Sequence, residues 1–253
     1  MTMARILIIA GSDSGGGAGI QADIKAVTML GGHAMTAIAA VTAQNTLGVQ
    51  GVHPIPTAMV LAQMNSVISD IGVDAVKIGM IGSAETVHAV AERLAMLNGV
   101  PIVFDPVMVA TSGSALADDA TIAAFEKLMA IATLVTPNIP ELDALGGDGI
   151  AVAFDTHVLA KGGHGDGPML TDRLIGPDRI IKSWANARID TPHTHGTGCT
   201  LASAIATGLA QGMALTDAVE RARKYVRAAL ELAPGLGGGH GPMGVPHGFL
   251  AHA

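Results

Sequence analysis

Short apolar runs alternate with helically spaced apolar residues along this chain, and that alternation constrains its fold more than any other feature. The first run, Ile6-Leu7-Ile8-Ile9-Ala10, has no polar residue to turn toward water. Such a strand is covered on both faces, as in a parallel sheet. The glycine-rich stretch Gly11-Ser12-Asp13-Ser14-Gly15-Gly16-Gly17-Ala18-Gly19 follows, then a helix with apolar residues at 20, 24, 27 and 30. The pattern recurs. Strands are predicted at 34–41, 74–78, 101–104, 134–136 and 158–161. Between them, Val60, Met64, Val67, Ile68 and Ile71 mark one helix, Val87, Val90, Leu94 and Leu97 another, and 122, 125 and 129 a third. Residues 169–184, broken by Asp172 and Gly176-Pro177-Asp178, read as an antiparallel hairpin. Two helices close the pattern, with small or apolar residues at 201, 204, 205, 208 and 209 and at 219, 222, 226, 229, 230 and 233; the Gly-, Pro- and His-rich tail from Pro234 is predicted as loop. The alternation predicts an α/β fold, a mostly parallel sheet with helices on both faces. No linker divides the 253 residues, so one domain over 1–253 is expected.

Composition removes several function classes. Aromatics are 2% of residues and the formal charge is −7 with no basic block, which argues against nucleic acid and anionic membranes as partners. A single cysteine excludes an internal disulfide. The first residues lack a long apolar stretch, and no run reaches the length of a membrane span, so a cytoplasmic protein is expected. Histidines 193 and 195 find no third partner at zinc-ligand spacing.

The chemistry collects at predicted strand ends, where open α/β sheets bind ligands. Strand, glycine loop and helix at 6–30 is the layout of many phosphate sites, or an unusually glycine-rich turn. Gln44 and Asn45, in the polar cluster after the second strand, each pair a donor with an acceptor and suit a heterocycle edge; an ordinary polar loop is the plainer reading. Asp105 ends another strand. Asn138 and Glu141 stand one helical turn apart, which suits a water-mediated Mg²⁺–phosphate assembly or, more simply, a capping box. Lys161 could meet a phosphate or only solvent. The last cluster, His195-Gly196-Thr197-Gly198-Cys199-Thr200, opens a helix, and helix starts bind anions. Cys199 lies where a helix N-terminus lowers a thiol pKa, or it is a small buried apolar residue.

Taken in order, these clusters resemble the hydroxymethylpyrimidine/phosphomethylpyrimidine kinases of thiamin biosynthesis, in the ribokinase-like superfamily. The matching pieces are residues 10–23, Ala40-Val41-Thr42-Ala43-Gln44-Asn45-Thr46, Val76-Lys77-Ile78-Gly79-Met80, Asp105-Pro106-Val107, Thr136-Pro137-Asn138 with Glu141, Lys161-Gly162-Gly163-His164 and residues 195–200. The resemblance implies a three-layer α/β/α fold, ATP and Mg²⁺ as cofactors, and a homodimer. It implies phosphorylation of 4-amino-5-hydroxymethyl-2-methylpyrimidine and then of its monophosphate at one site. Gln44 would bond the pyrimidine edge, with Gly11, Asp23, Val41, Met80 and Val107 forming the pocket. Gly196, Thr197, Gly198 and Cys199 would form the anion hole, and Cys199 would accept the hydroxyl proton. Asp105, Asn138, Glu141 and Lys161 would hold phosphates, with Mg²⁺ on Asp105 and Glu141 through water. The segment between Glu141 and Lys161 is shorter than the family pattern, with Gly146-Gly147-Asp148-Gly149 in place of part of a helix. Two other readings share this scaffold: a vitamin B6 kinase and a non-catalytic pyrimidine-binding protein.

Overall fold

The computed structural model describes residues 3–110, 113–164 and 167–249, with only the backbone of His164. The first half runs β1 (Ala4–Asp13), α1 (Gly19–Met29), β2 (Gly32–Asn45), β3 (Gly48–Pro54), α2 (Thr57–Asp70), β4 (Ala75–Ile78), α3 (Ala84–Leu94) and β5 (Ile102–Phe104). The second half runs α4 (Asp119–Met129), β6 (Leu134–Val135), α5 (Ile139–Leu145), α6 (Ile150–Ala153), β7 (His157–Ala160), β8 (Met169–Ile175), β9 (Ile180–Ala187), α7 (Thr197–Ala210) and α8 (Leu215–Glu231). The described strands form one sheet in the order β3-β2-β1-β4-β5-β6-β7-β8-β9. From β2 to β7 every neighbouring pair is parallel, and β3, β8 and β9 add antiparallel edges.

The alternation of β1 explains the three layers. Leu7 and Ile9 pack under α2, α3 and α4 with Val60, Val90 and Phe125. Ile6 and Ile8 pack on the opposite face with Val27 of α1, Ile205 of α7 and Val219 of α8. All five residues from Ile6 to Ala10 are buried, as a run with no polar member requires. Helices α7 and α8 approach closely at Gly208, where a Cβ would stand 2.8 Å from Ala218 Cβ.

Three elements, β2, β3 and α1, differ from the sequence expectation. β2 does not end at 41 but continues to Asn45 and turns back as β3, so Thr42 and Gln44 are strand residues. The β3 residues are half-buried or exposed, and so lack the apolar run that marks a covered strand. In α1 the buried face holds Asp23 rather than Ile24, which is 38% exposed. Between Glu141 and Lys161, α5 ends at Gly146 with φ 109°, and only a short turn and the four-residue α6 follow. Glycine takes up that left-handed conformation without steric cost, which is why the helix stops there.

Candidate active site

Parallel strands place their carboxyl ends along one edge of the sheet, and a cleft of about 930 Å³ opens there. It is lined by Gly11 and Asp13 at the end of β1, Met80 after β4, Asp105 and Val107 after β5, Asn138 and Glu141 after β6, and Lys161 after β7. Gln44 of β2 reaches in from one side, and Gly196, Thr197, Gly198 and Cys199 at the start of α7 form the floor. Two expected pocket residues lie elsewhere. Asp23 is fully buried, where Oδ2 accepts from Lys77 Nζ at 2.9 Å and Oδ1 from Ser203 Oγ at 2.8 Å. Val41 is 45% exposed and outside the cleft lining, because strand alternation turns it away while Gln44 turns in.

The glycine loop after β1 is not a phosphate cradle. Its amides are already taken by Asp13: Gly15 donates to Oδ1 at 2.8 Å, and Gly17 and Ala18 donate to Oδ2 at 2.9 and 2.8 Å. Burial alone would raise the Asp13 carboxyl, but the His195 ring and these amides hold it below the usual carboxylate range. His195 was legible as the first residue of the 195–200 cluster and as half of an incomplete metal pair, with no role assigned to its ring; that ring stands 3.0 Å from Asp13 and 3.1 Å from the Gln44 side chain. The tail predicted as loop fixes this corner, since His195 N donates to Gly241 O at 3.2 Å and Gly239 N to Thr46 Oγ1 at 3.4 Å.

The start of α7 opens into the same cleft. In its first turn, the Gly198 and Cys199 amides have no backbone acceptor among the described residues. Beside them, Lys161 Nζ donates to Asp105 Oδ1 at 2.8 Å. A Cβ on Gly198 would stand 3.2 Å from Lys161 Nζ and 3.3 Å from Asp105 Oδ2, so glycine lets this cation and carboxylate lie close against the helix start. Gly196 has φ 85°, and a Cβ there would overlap the Gly17 carbonyl oxygen. Gly196→Ala should therefore cost about 1–3 kcal/mol in backbone strain alone. A thermal melt should show Tm falling by several degrees, and an unchanged Tm would contradict this geometry.

Asn138 and Glu141 form a full capping box. Glu141 N donates to Asn138 Oδ1 at 2.9 Å, and Asn138 N donates to Glu141 Oε2 at 2.8 Å. Burial raises the Glu141 carboxyl, Lys161 opposes the rise and Asp105 adds to it. The capping role and the cleft position coexist, because α5 begins where the cleft lies. Asp105 and Glu141 bring hard oxygen donors to one place, yet the described residues contain no group of three His, Cys, Asp or Glu able to hold a metal alone. Two carboxylates suit Mg²⁺, which keeps several waters and takes further ligands from substrate phosphates.

Cys199 departs from its expectation. Burial pushes its thiol up to about 11, with Asp23 and Asp105 adding to the rise and Lys77 and the Gly19 amide opposing it. Desolvation and the two carboxylates thus outweigh Lys77 and the Gly19 amide. At the far end of the cleft lie Leu170, Ile189, Val226 and Leu230, with Arg223 tied to Asp172 at 2.7 Å and to Asn186 at 2.8 Å. None of these was legible as a site, because single residues of β8, of β9 and the loop after it, and of α8 carry no local motif.

A three-layer α/β/α fold with a cleft at the strand ends, and a helix start opening into it, is the architecture of the ribokinase-like kinases. The family model for phosphomethylpyrimidine kinase matches residues 13–244. A hydroxymethylpyrimidine/phosphomethylpyrimidine kinase of Streptomyces coelicolor is 47% identical over 259 residues, covering 96% of this chain and 94% of that one. A thiamine biosynthesis bifunctional protein of Geobacter sulfurreducens is also 47% identical over 94% of this chain, which spans about half (51%) of that longer protein. Among solved structures, an ADP complex of Bacillus subtilis pyridoxal kinase superposes with a TM-score of 0.87 at 30% identity, covering all of both chains. The chain belongs to the phosphomethylpyrimidine kinase family.

Proposed function

We propose that this chain, acting as a single domain over 1–253, transfers the γ-phosphoryl group of ATP to 4-amino-5-hydroxymethyl-2-methylpyrimidine. It then phosphorylates the monophosphate to the diphosphate in the same cleft. The observation that carries this reading is the Lys161–Asp105 pair set against the start of α7, with Gln44 facing the same cleft. Amides and a cation aimed at one point stabilise the charge of a transferring phosphoryl group. In the first transfer the substrate hydroxyl loses its proton, and Cys199 is the group proposed to take it. In the second, the attacking phosphate oxygen is already ionised and needs no base. Asp105 and Glu141 would hold Mg²⁺ through water, and the ion would supply neutralisation of phosphate charge. Gly11, Met80 and Val107 would enclose the ring and Asn138 would support the phosphates.

No helix among the described residues is long and apolar enough to cross a membrane. A cytoplasmic homodimer completes the proposal; Leu47 and Val52, exposed on the β2–β3 hairpin, offer an apolar surface for a second copy, and sizing chromatography that returns a monomer would refute that part.

The structural likeness to a pyridoxal kinase favours one second reading, a vitamin B6 kinase. Initial rates with MgATP and either the aminopyrimidine or pyridoxal separate the two. The expected result is efficient conversion of the pyrimidine with slower pyridoxal turnover. Faster pyridoxal turnover that stops at one phosphate would reverse the assignment.

A further inference from the structure

The Gln44 amide is gripped on both flanks, and counting protons decides which flank is oxygen. His195 Nε2 lies 3.0 Å from Asp13 Oδ2 and 3.1 Å from Gln44 Nε2. Asp13 accepts three backbone amides, a setting that suits a carboxylate and leaves no proton on it. The hydrogen between the two therefore belongs to His195 Nε2, and a ring nitrogen carrying it has no lone pair for an amide N–H. On the other flank, Gln44 Oε1 lies 3.2 Å from Thr42 Oγ1. Thr42 Oγ1 also lies 3.0 Å from the Ser12 carbonyl oxygen, which can only accept, so the hydroxyl proton is committed there. Amide nitrogen and oxygen are nearly isosteric, and the surrounding network decides between them. With the two exchanged, every contact pairs a donor with an acceptor. His195 Nε2–H donates to Asp13 and to the Gln44 carbonyl, and the Gln44 amide donates to Thr42 Oγ1.

We propose that His195, anchored by Asp13, acts with Thr42 to fix the direction of the Gln44 amide and so selects which heterocycle edge the cleft reads. The inference rests on the pyrimidine kinase reading above. The amide keeps one N–H and one oxygen lone pair side by side. In this direction they match a ring nitrogen beside an exocyclic amine, the edge of a 4-aminopyrimidine. Reversed in the same place, they match a ring N–H beside a carbonyl, the edge of a 4-oxopyrimidine. His195 is thus a positioning residue, acting through Gln44.

The test compares kcat and KM for the 4-amino substrate and its 4-oxo analogue in the wild type, His195→Leu, His195→Gln and Thr42→Val. His195→Leu should raise KM for the amino ring about tenfold or more and change kcat less, since buried polar groups left unpaired are what reject a wrong ring. The amino-to-oxo ratio of kcat/KM should fall by a similar factor. His195→Gln, which keeps an N–H donor, should restore part of the ratio, as a purely structural role would not. Thr42→Val should lower the ratio independently, so a His195 variant that fails to fold does not remove the test. Calorimetric Kd values for the two rings read the same ratio without turnover, which separates failure of the kinase reading from failure of this one. An unchanged ratio in both His195→Leu and Thr42→Val would overturn the proposal.

Discussion

Replacing Cys199 with alanine should slow the first phosphoryl transfer by about a hundredfold or more, the usual worth of a positioned proton acceptor, and leave the second within about tenfold. Only the first transfer removes a proton from an un-ionised hydroxyl. The raised thiol adds a second signature. With the Cys199 thiol at about 11 in the free protein, only a small fraction is thiolate near neutrality. A step that needs the thiolate gains roughly tenfold per pH unit while the pH lies well below that value. The first transfer should therefore climb with pH from 7 to 9. The second should stay nearly flat there, because the attacking phosphate has completed its second ionisation. Single-turnover rates for each step across that range, in wild type and variant, make the check. Equal losses in both steps, or a flat profile for the first, would remove Cys199 as the base.

Lys161→Ala should behave differently, slowing both transfers together by about 10²–10³-fold, as loss of one preorganised charge-stabilising donor does. Lys161 Nζ is 2.8 Å from Asp105 and abuts the start of α7, where either phosphoryl group would be transferred. Its removal also takes from Glu141 the cation that opposes a carboxyl already raised by burial. That carboxyl then binds its proton still more tightly, and its use as an oxygen donor weakens as the pH falls. The loss should thus deepen as the pH is lowered. A variant that slows one step and spares the other would show that the two reactions do not share this cation.

The parallel core was legible because residues 6–10 leave no polar side chain to point at solvent, and burial on both faces followed. The capping box was legible because Asn138 and Glu141 are close in sequence. Tertiary decisions were not. Asp13 looked like one member of a phosphate loop, yet its carboxylate fills the loop itself. Spacing alone placed the buried face of α1 on Ile24. Lys77 and Ser203, from a strand and a helix distant in sequence, turn it toward Asp23. Cys199 shows the same limit in energetic form. Its position at a helix start predicts a lowered pKa, whereas the fold raises it through desolvation, with Asp23 and Asp105 adding to the rise.

The central claim is that one cleft carries out both transfers, and substrate competition tests it most directly. The pyrimidine monophosphate, substrate of the second step, should inhibit phosphorylation of the unphosphorylated pyrimidine competitively. Where chemistry is slow relative to dissociation, its Ki should equal its own KM as substrate. Noncompetitive inhibition, or none at monophosphate concentrations well above that KM, would mean that the two reactions occupy different sites.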